Sequence, residues 1–321
     1  MTRRDLLESS LIGSIALNAP AQGASDANSE EVDPVTKWTT IAAYGFRRYP
    51  NHERDRWAGP DIVYGRADNI ELKLHVFTAG IKPDMRPTLM YIHGGGWVHL
   101  MKEDRILYLL PYLAQGMNTV NVDYRLAYQS RAPGAVEDCR TALHWVHQNA
   151  EEYGFDLSKL VVAGESAGGH LALMTGMLTA DAGFDNVCAW SVGNRPVTVA
   201  AIVNFFGPTD MTSFVEGPHT AAFALEWFGS MPGRAELAKR ISPLNYVRLG
   251  LPPIITIHGE ADHSVPFEQA LRLHDALEKV GVPHQLVRVP GAQHGCENWT
   301  PAQQLHAQTA IFKFLRDHKV L

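Results

Sequence analysis

The segment Gly164-Glu165-Ser166-Ala167-Gly168 stands between an apolar run, Leu160–Ala163, and a helix-like stretch beginning at His170. A G-x-S-x-G motif in this strand–turn–helix setting commits the chain to a sharp reversal. The turn pushes a serine hydroxyl into a cleft, at a helix N-terminus that favours negative charge. The flanking glycines permit a backbone approach that any Cβ would block. The motif alone is common by chance, and its weight here comes from three further elements that follow the order such a site requires.

Upstream, Thr88–Ile92 reads as a buried strand running into His93-Gly94-Gly95-Gly96-Trp97. Three glycines after a strand leave backbone N–H groups uncovered, and such a loop can form an oxyanion hole with the N–H of Ala167 as a further donor. Downstream, the strand Pro253–His258 leads into the loop Gly259–Pro266. A carboxylate there can orient a histidine and stabilise its imidazolium form. Glu260 and Asp262 compete for this role; Asp262 is preferred because it lies deeper in a loop that Val265-Pro266 closes. Last, the strand His284–Val289 precedes Pro290-Gly291-Ala292-Gln293-His294-Gly295. Among 15 histidines, His294 is selected as the base by the order Ser, Asp, His and by its place after the last strand. His258 and His263 are read as strand-end and loop histidines.

These residues, together with Asp123-Tyr124-Arg125-Leu126 and Gly169-His170, resemble the α/β-hydrolase superfamily. Within it the chain is similar to the hormone-sensitive-lipase-like esterases and the bacterial feruloyl- and acetyl-xylan-type carboxylesterases. The resemblance covers roughly residues 60 to 321. It implies Ser166 as nucleophile, His294 as base and Asp262 as acid, with an oxyanion hole from Gly94, Gly95 and Ala167. It implies hydrolysis of a small-molecule or glycan ester with no cofactor and no metal. Lipase-like members carry a helical N-terminal cap, whereas residues 22 to 60 here are polar and irregular.

Composition restricts the alternatives. The chain has 321 residues, 45% apolar and 19% charged, with net charge −6 and no long basic run, which argues against nucleic acid as a partner. No stretch of 18 apolar residues suits a transmembrane helix. Cys139, Cys188 and Cys296 are too few for a disulfide framework, although a Cys188–Cys296 bridge stays open. Thr2-Arg3-Arg4-Asp5-Leu6-Leu7, the apolar Leu11–Leu17 and Ala19-Pro20-Ala21 resemble a twin-arginine signal over residues 1–21, which predicts export.

Residues 22–60 read as a linker and rim segment. From 61 onward, strand-like and helix-like runs alternate, which predicts an α/β fold: a mostly parallel eight-stranded sheet with helices on both faces and antiparallel pairing at the first strands. Residues 208–245 interrupt the alternation and predict a short lid insertion above the strand C-terminal ends, contributing to the pocket. Trp97, Glu165, Phe214 and Trp227 are the candidate substrate-binding residues. Asp123 and Arg125 are expected to form an ion pair supporting the glycine loop, and His93 to brace it. A peptidase of the same fold and a non-catalytic binding protein remain as other readings; the oligomeric state is open.

Overall fold

The computed structural model describes residues 61–79, 84–185, 197–217, 219–230 and 232–321. The stretches expected to be a signal (1–21) and a linker and rim segment (22–60), together with Cys188, Pro218 and Met231, lie outside the described residues.

In chain order the strands are β1 (Ile62–Ala67), β2 (Ile70–Phe77), β3 (Arg86–Ile92), β4 (Asn118–Val122), β5 (Phe155–Glu165), β6 (Ala201–Phe205), β7 (Ile254–Gly259) and β8 (His284–Val289). The helices are α1 (Ile106–Ala114), α2 (Gly134–Gln148), α3 (Ala150–Tyr153), α4 (Ala167–Met177), α5 (Thr212–Val215), α6 (Ala222–Phe228), α7 (Arg234–Arg240), α8 (Glu268–Lys279) and α9 (Pro301–Asp317). One sheet takes the order β1-β2-β4-β3-β5-β6-β7-β8. β2 pairs antiparallel with both β1 and β4, and the remaining pairs are parallel. The mostly parallel sheet read from the alternation is the one observed, including its antiparallel start.

Strands β4, β6 and β7 are buried along nearly their whole length because both faces of the sheet are covered. Alternate residues serve opposite layers. Met90, Ile92 and Val162 face a layer built with α2, α4 and α8, through Val136, Leu143, Leu171 and Leu273. Leu89, Tyr91, Val161 and Ala163 face a second layer with α1 and α9, through Leu109, Tyr112, Ile311 and Leu315.

The strand order reverses at β3, whose successor β4 lies on one side and β5 on the other. Loops leaving neighbouring strands diverge at such a point and open a crevice at the C-terminal ends. Ile92 pairs with Gly164, so the loop after β3 and the turn after β5 start side by side. Helices α5, α6 and α7 of the 208–245 insertion follow β6.

Candidate active site

Ser166 sits at φ 53° and ψ −121°, between the end of β5 and the first turn of α4. This left-handed conformation is unusual for a residue with a Cβ and reverses the chain within one residue. Space for the turn comes from Gly168, where a Cβ would lie 2.1 Å from the Ile92 carbonyl oxygen. The Ser166 N–H donates to the Phe205 carbonyl at 2.8 Å, tying the turn to β6.

Nε2 of His294 lies 2.8 Å from Ser166 Oγ, and its Nδ1 lies 2.7 Å from Asp262 Oδ2. The three residues selected in the sequence therefore form one continuous hydrogen-bonded line, drawn from the loops after β5, β7 and β8. Asp262 Oδ1 accepts the N–H groups of Ser264 and Val265, each at 2.9 Å. Burial pushes the Asp262 carboxyl up, but contacts from His258, His294 and the Val265 N–H outweigh it and hold the group well below the usual carboxylate range. An ionised, fixed carboxylate is what keeps an imidazole oriented toward a serine. His258 is more than a strand-end histidine: its Nε2 lies 2.8 Å from the Val265 carbonyl and 3.4 Å from Asp262 Oδ2.

The glycine loop is bent by Gly95 at φ +99° and Gly96 at φ +60°. A Cβ on Gly95 would lie 2.1 Å from the His99 carbonyl oxygen. Gly95, Gly96 and Ala167 line the same cleft as Ser166 and His294. Ala167 is the first residue of α4, and a first-turn N–H has no acceptor inside its helix. Gly94, expected as an oxyanion donor, is otherwise engaged: its N–H donates to Glu165 Oε1 at 2.9 Å. Gly96 takes its place among the residues facing the serine, one step along the same glycine run.

Glu165 was expected to bind substrate, and it does reach the cleft wall. Both of its carboxylate oxygens are occupied. Oε1 accepts from Gly94 N–H and from Arg105 Nε at 2.6 Å, and Oε2 accepts from the Tyr91 hydroxyl at 2.5 Å. Glu165 thus braces the glycine loop against the Ser166 turn. Nothing in the sequence pattern marks Arg105 as its partner. From the other side, the Tyr124 hydroxyl donates to the carbonyls of His93 and Gly94 at 3.1 and 3.0 Å, while its ring stacks on His93 at 4.4 Å. His93 braces the loop, as read from its position.

Asp123 and Arg125 do not pair with each other. Asp123 accepts the N–H and the ammonium of Lys102 at 2.7 and 2.9 Å. Arg125 instead engages the fully buried Asp138, including Nη2 to Oδ1 at 2.7 Å.

The cleft has a volume of about 240 Å³. Its lining combines the apolar Trp97, Leu100, Phe206, Pro208, Phe223 and Val265 with the polar His99, Arg105, Glu165 and Glu297. Of the aromatic candidates, only Trp97 lines it. Trp227 is fully buried and stacks behind Trp97, with centroids 4.4 Å apart and planes at 9°. Phe214 is also fully buried and packs 6.2 Å behind Phe223. Both belong to the insertion's own core, and the aromatic side chain by which the insertion reaches the cleft is Phe223. His170, on α4, anchors the insertion through Nε2 to the Ile241 carbonyl at 2.7 Å; burial lowers its pKa to about 4, so it is a neutral core imidazole.

Cys139 and Cys296 are free thiols, and burial pushes both pKa values well up, away from thiolate chemistry. Among the described residues, Asp61, His75 and Glu103 cluster closely enough to share a metal ion. The Lys102 ammonium lies 3.1 Å from Asp61 and 2.7 Å from Glu103, so a cation of the chain itself occupies the position.

A hydrogen-bonded serine, histidine and aspartate at the strand ends of this sheet, beside a glycine loop, are the features by which the chain can be compared with known proteins. The BD-FAE profile matches residues 74–277. The chain belongs to the BD-FAE family, on the α/β-hydrolase fold. Esterase LipC of Mycobacterium tuberculosis is 31% identical over 236 residues, 71% of this chain. The match spans 58% of LipC's length. Among solved structures, Thermogutta terrifontis esterase 2 phosphoramylated by tabun superposes with TM-score 0.69 and 30% identity, covering 86% of this chain and 99% of that one. The propionate-bound form gives TM-score 0.69 and 29% identity, over 86% and 98% of the two chains. No helix among the described residues is long and apolar enough to cross a membrane.

Proposed function

We propose that this BD-FAE family chain is a serine carboxylesterase acting on short-acyl esters. The observation that carries the reading is the line Ser166 Oγ, His294 and Asp262, with contacts of 2.8 and 2.7 Å, on the wall of a cleft that Gly95, Gly96 and Ala167 also line. Ser166 Oγ attacks the ester carbonyl carbon as His294 Nε2 takes its proton. The carbonyl oxygen becomes an oxyanion held by the N–H groups of Ala167, Gly95 and Gly96. Collapse expels the alcohol, which receives the proton from His294, and leaves an acyl-serine. Water repeats the sequence and releases the acid.

The cleft volume of about 240 Å³ supports a small acyl group. The propionate-bound structure of the Thermogutta esterase, and its phosphoramylation by tabun, support the same class of chemistry here. Acetyl esters, including those of plant polysaccharide, suit that volume better than feruloyl esters, which remain the second glycan reading. We also propose export through the twin-arginine pattern at Arg3 and Arg4; replacing both by Lys is expected to retain the protein in the cytoplasm.

The deciding experiment compares p-nitrophenyl acetate, butyrate and octanoate with the matching acetanilide, for the wild type and Ser166→Ala. Ester hydrolysis that falls with chain length, is weak on the anilide and disappears in Ser166→Ala is expected. Ser166→Ala retaining wild-type rates would remove the serine mechanism, and preference for the anilide would favour the peptidase reading.

A further inference from the structure

Seven residues other than glycine have positive φ among the described residues. Asp68 and Asn69 form the β1–β2 turn, where short polar side chains tolerate it, and Lys319 lies near the C-terminus. The other four, Trp97, Leu100, Ser166 and Phe206, all line the catalytic cleft. Ser166 is explained by its turn. Phe206, at φ +40°, is a bulky residue in a conformation it disfavours. Such backbone persists only where its surroundings impose it, and it clusters at functional sites.

Those surroundings can be named. The Phe205 carbonyl accepts the Ser166 N–H at 2.8 Å, the Phe206 N–H donates to the Ile257 carbonyl at 2.9 Å, and the Gly207 N–H donates to Asn204 Oδ1 at 2.9 Å. The chain is held on three consecutive residues as it leaves β6. The left-handed step then carries the ring to His294, with centroids 4.8 Å apart and planes at 64°. The same ring lies 5.8 Å from Trp299 and 6.4 Å from His258. Trp299 Nε1 in turn donates to the Gln293 carbonyl at 2.8 Å, immediately before the base. Phe206 is 1% exposed.

We propose that Phe206 is a positioning residue for His294: its ring, held at the base by a strained backbone, stops the imidazole from turning away from Ser166. This rests on the serine-esterase reading. His294 has a strong anchor at Nδ1 in Asp262, but a single anchor leaves rotation about the bond through the ring. The contact at Nε2 must break and re-form at each proton transfer, so Ser166 cannot supply the second anchor throughout the cycle. An aromatic ring at an angle to the imidazole plane supplies it by contact alone and asks for no proton.

The test uses the full chain with p-nitrophenyl acetate. Phe206→Leu keeps an apolar side chain but no ring; Phe206→Tyr keeps the ring. Phe206→Leu is expected to lower kcat about tenfold or more, as misplacement of a catalytic group does, while KM stays within about threefold and the thermal unfolding curve remains cooperative. Phe206→Tyr is expected to recover most of the lost kcat. If Phe206→Leu changes KM and not kcat, the ring is a substrate wall and the proposal fails. It fails equally if Tyr is as slow as Leu. Should Phe206→Leu not fold, Phe206→Met takes its place with the same expectations. Ser166→Ala in parallel separates the two claims: wild-type rates there sink the serine reading itself, whereas a Ser166→Ala slowed by several powers of ten beside an unaltered Phe206→Leu removes only the positioning role.

Discussion

Glu165 makes the sharpest test of how the glycine loop is held. Its carboxylate joins three elements: Tyr91 on β3, Gly94 in the loop, and Arg105 just before α1. Replacing Glu165 with Ala leaves the Tyr91 hydroxyl and the Gly94 N–H without an acceptor. Each such buried donor costs about 1–3 kcal/mol. Arg105 is partly exposed, so water takes over much of its solvation and the lost ion pair adds about 1 kcal/mol at most. A total near 3–4 kcal/mol of stability is expected once water fills part of the void. Glu165→Gln keeps the shape and one acceptor oxygen, and is expected to cost about half as much. The loop carries Gly95 and Gly96, and complete loss of one oxyanion donor lowers kcat about 10²–10³-fold. A loosened loop displaces donors without removing them, so about 10–100-fold is expected for Glu165→Ala. The assay is kcat and KM on p-nitrophenyl acetate, with affinity for a trifluoromethyl ketone that forms a tetrahedral adduct. Affinity for the ketone should fall in step with kcat while KM changes little. If instead KM rises and both kcat and ketone affinity hold, Glu165 contacts substrate directly and the bracing argument is wrong.

Three further outcomes follow from the geometry. The Asp262 carboxyl titrates below its unfolded value, so its stabilisation is present above about pH 4 and is lost as pH falls toward the folded value. The difference in urea midpoint between wild type and Asp262→Asn should therefore narrow between pH 6 and pH 3, and an unchanged difference would refute the assignment. Trp227→Ala, behind the cleft wall, should cost about 3–5 kcal/mol of stability with little change in acyl preference. Phe223→Ala, on the wall, should cost about 1 kcal/mol and shift the chain-length profile toward longer acyl groups; the reverse pattern would mean the two residues' roles are exchanged. Leu100→Gly relieves a left-handed backbone at φ +70° in the cleft, and Lys319→Gly relieves one at φ +60° away from it. Both should gain up to about 1 kcal/mol in thermal unfolding, but only Leu100→Gly should alter kcat.

The fold was legible because each element of a doubly covered sheet writes its own period into the chain. Leu160–Ala163 is apolar at every position since both faces of β5 are buried, and α8 between β7 and β8 shows the helical spacing of a half-buried surface. The hydrogen-bonded line of Ser166, His294 and Asp262 was legible for a different reason. Ser166, Asp262 and His294 each follow a recognisable strand, and their order along the chain is fixed by the order of strands in the sheet.

What the pattern could not supply was the partner of each polar group beyond that line. Glu165 adjoins Ser166 in sequence, which suggests substrate contact, but its direction depends on Tyr91, Gly94 and Arg105 arriving from three places. Arg105 bears no local signature, because a lone arginine between two elements is ordinarily a solvated one. The same limit separates Phe223 from Phe214 and Trp227. All three are aromatic residues of one short insertion, and helical spacing alone assigns them to a core; which one breaks through to the cleft is decided by where Trp97 sits, and Trp97 is placed by its own φ of +62°. Phe206 lies furthest from sequence reading. Its type gives every reason to expect ordinary extended backbone, and only the hydrogen bonds from Ser166, to Ile257 and to Asn204 turn it toward the base. Trp97, Leu100 and Phe206 violate local preference with no local signal of doing so, and all three line the cleft.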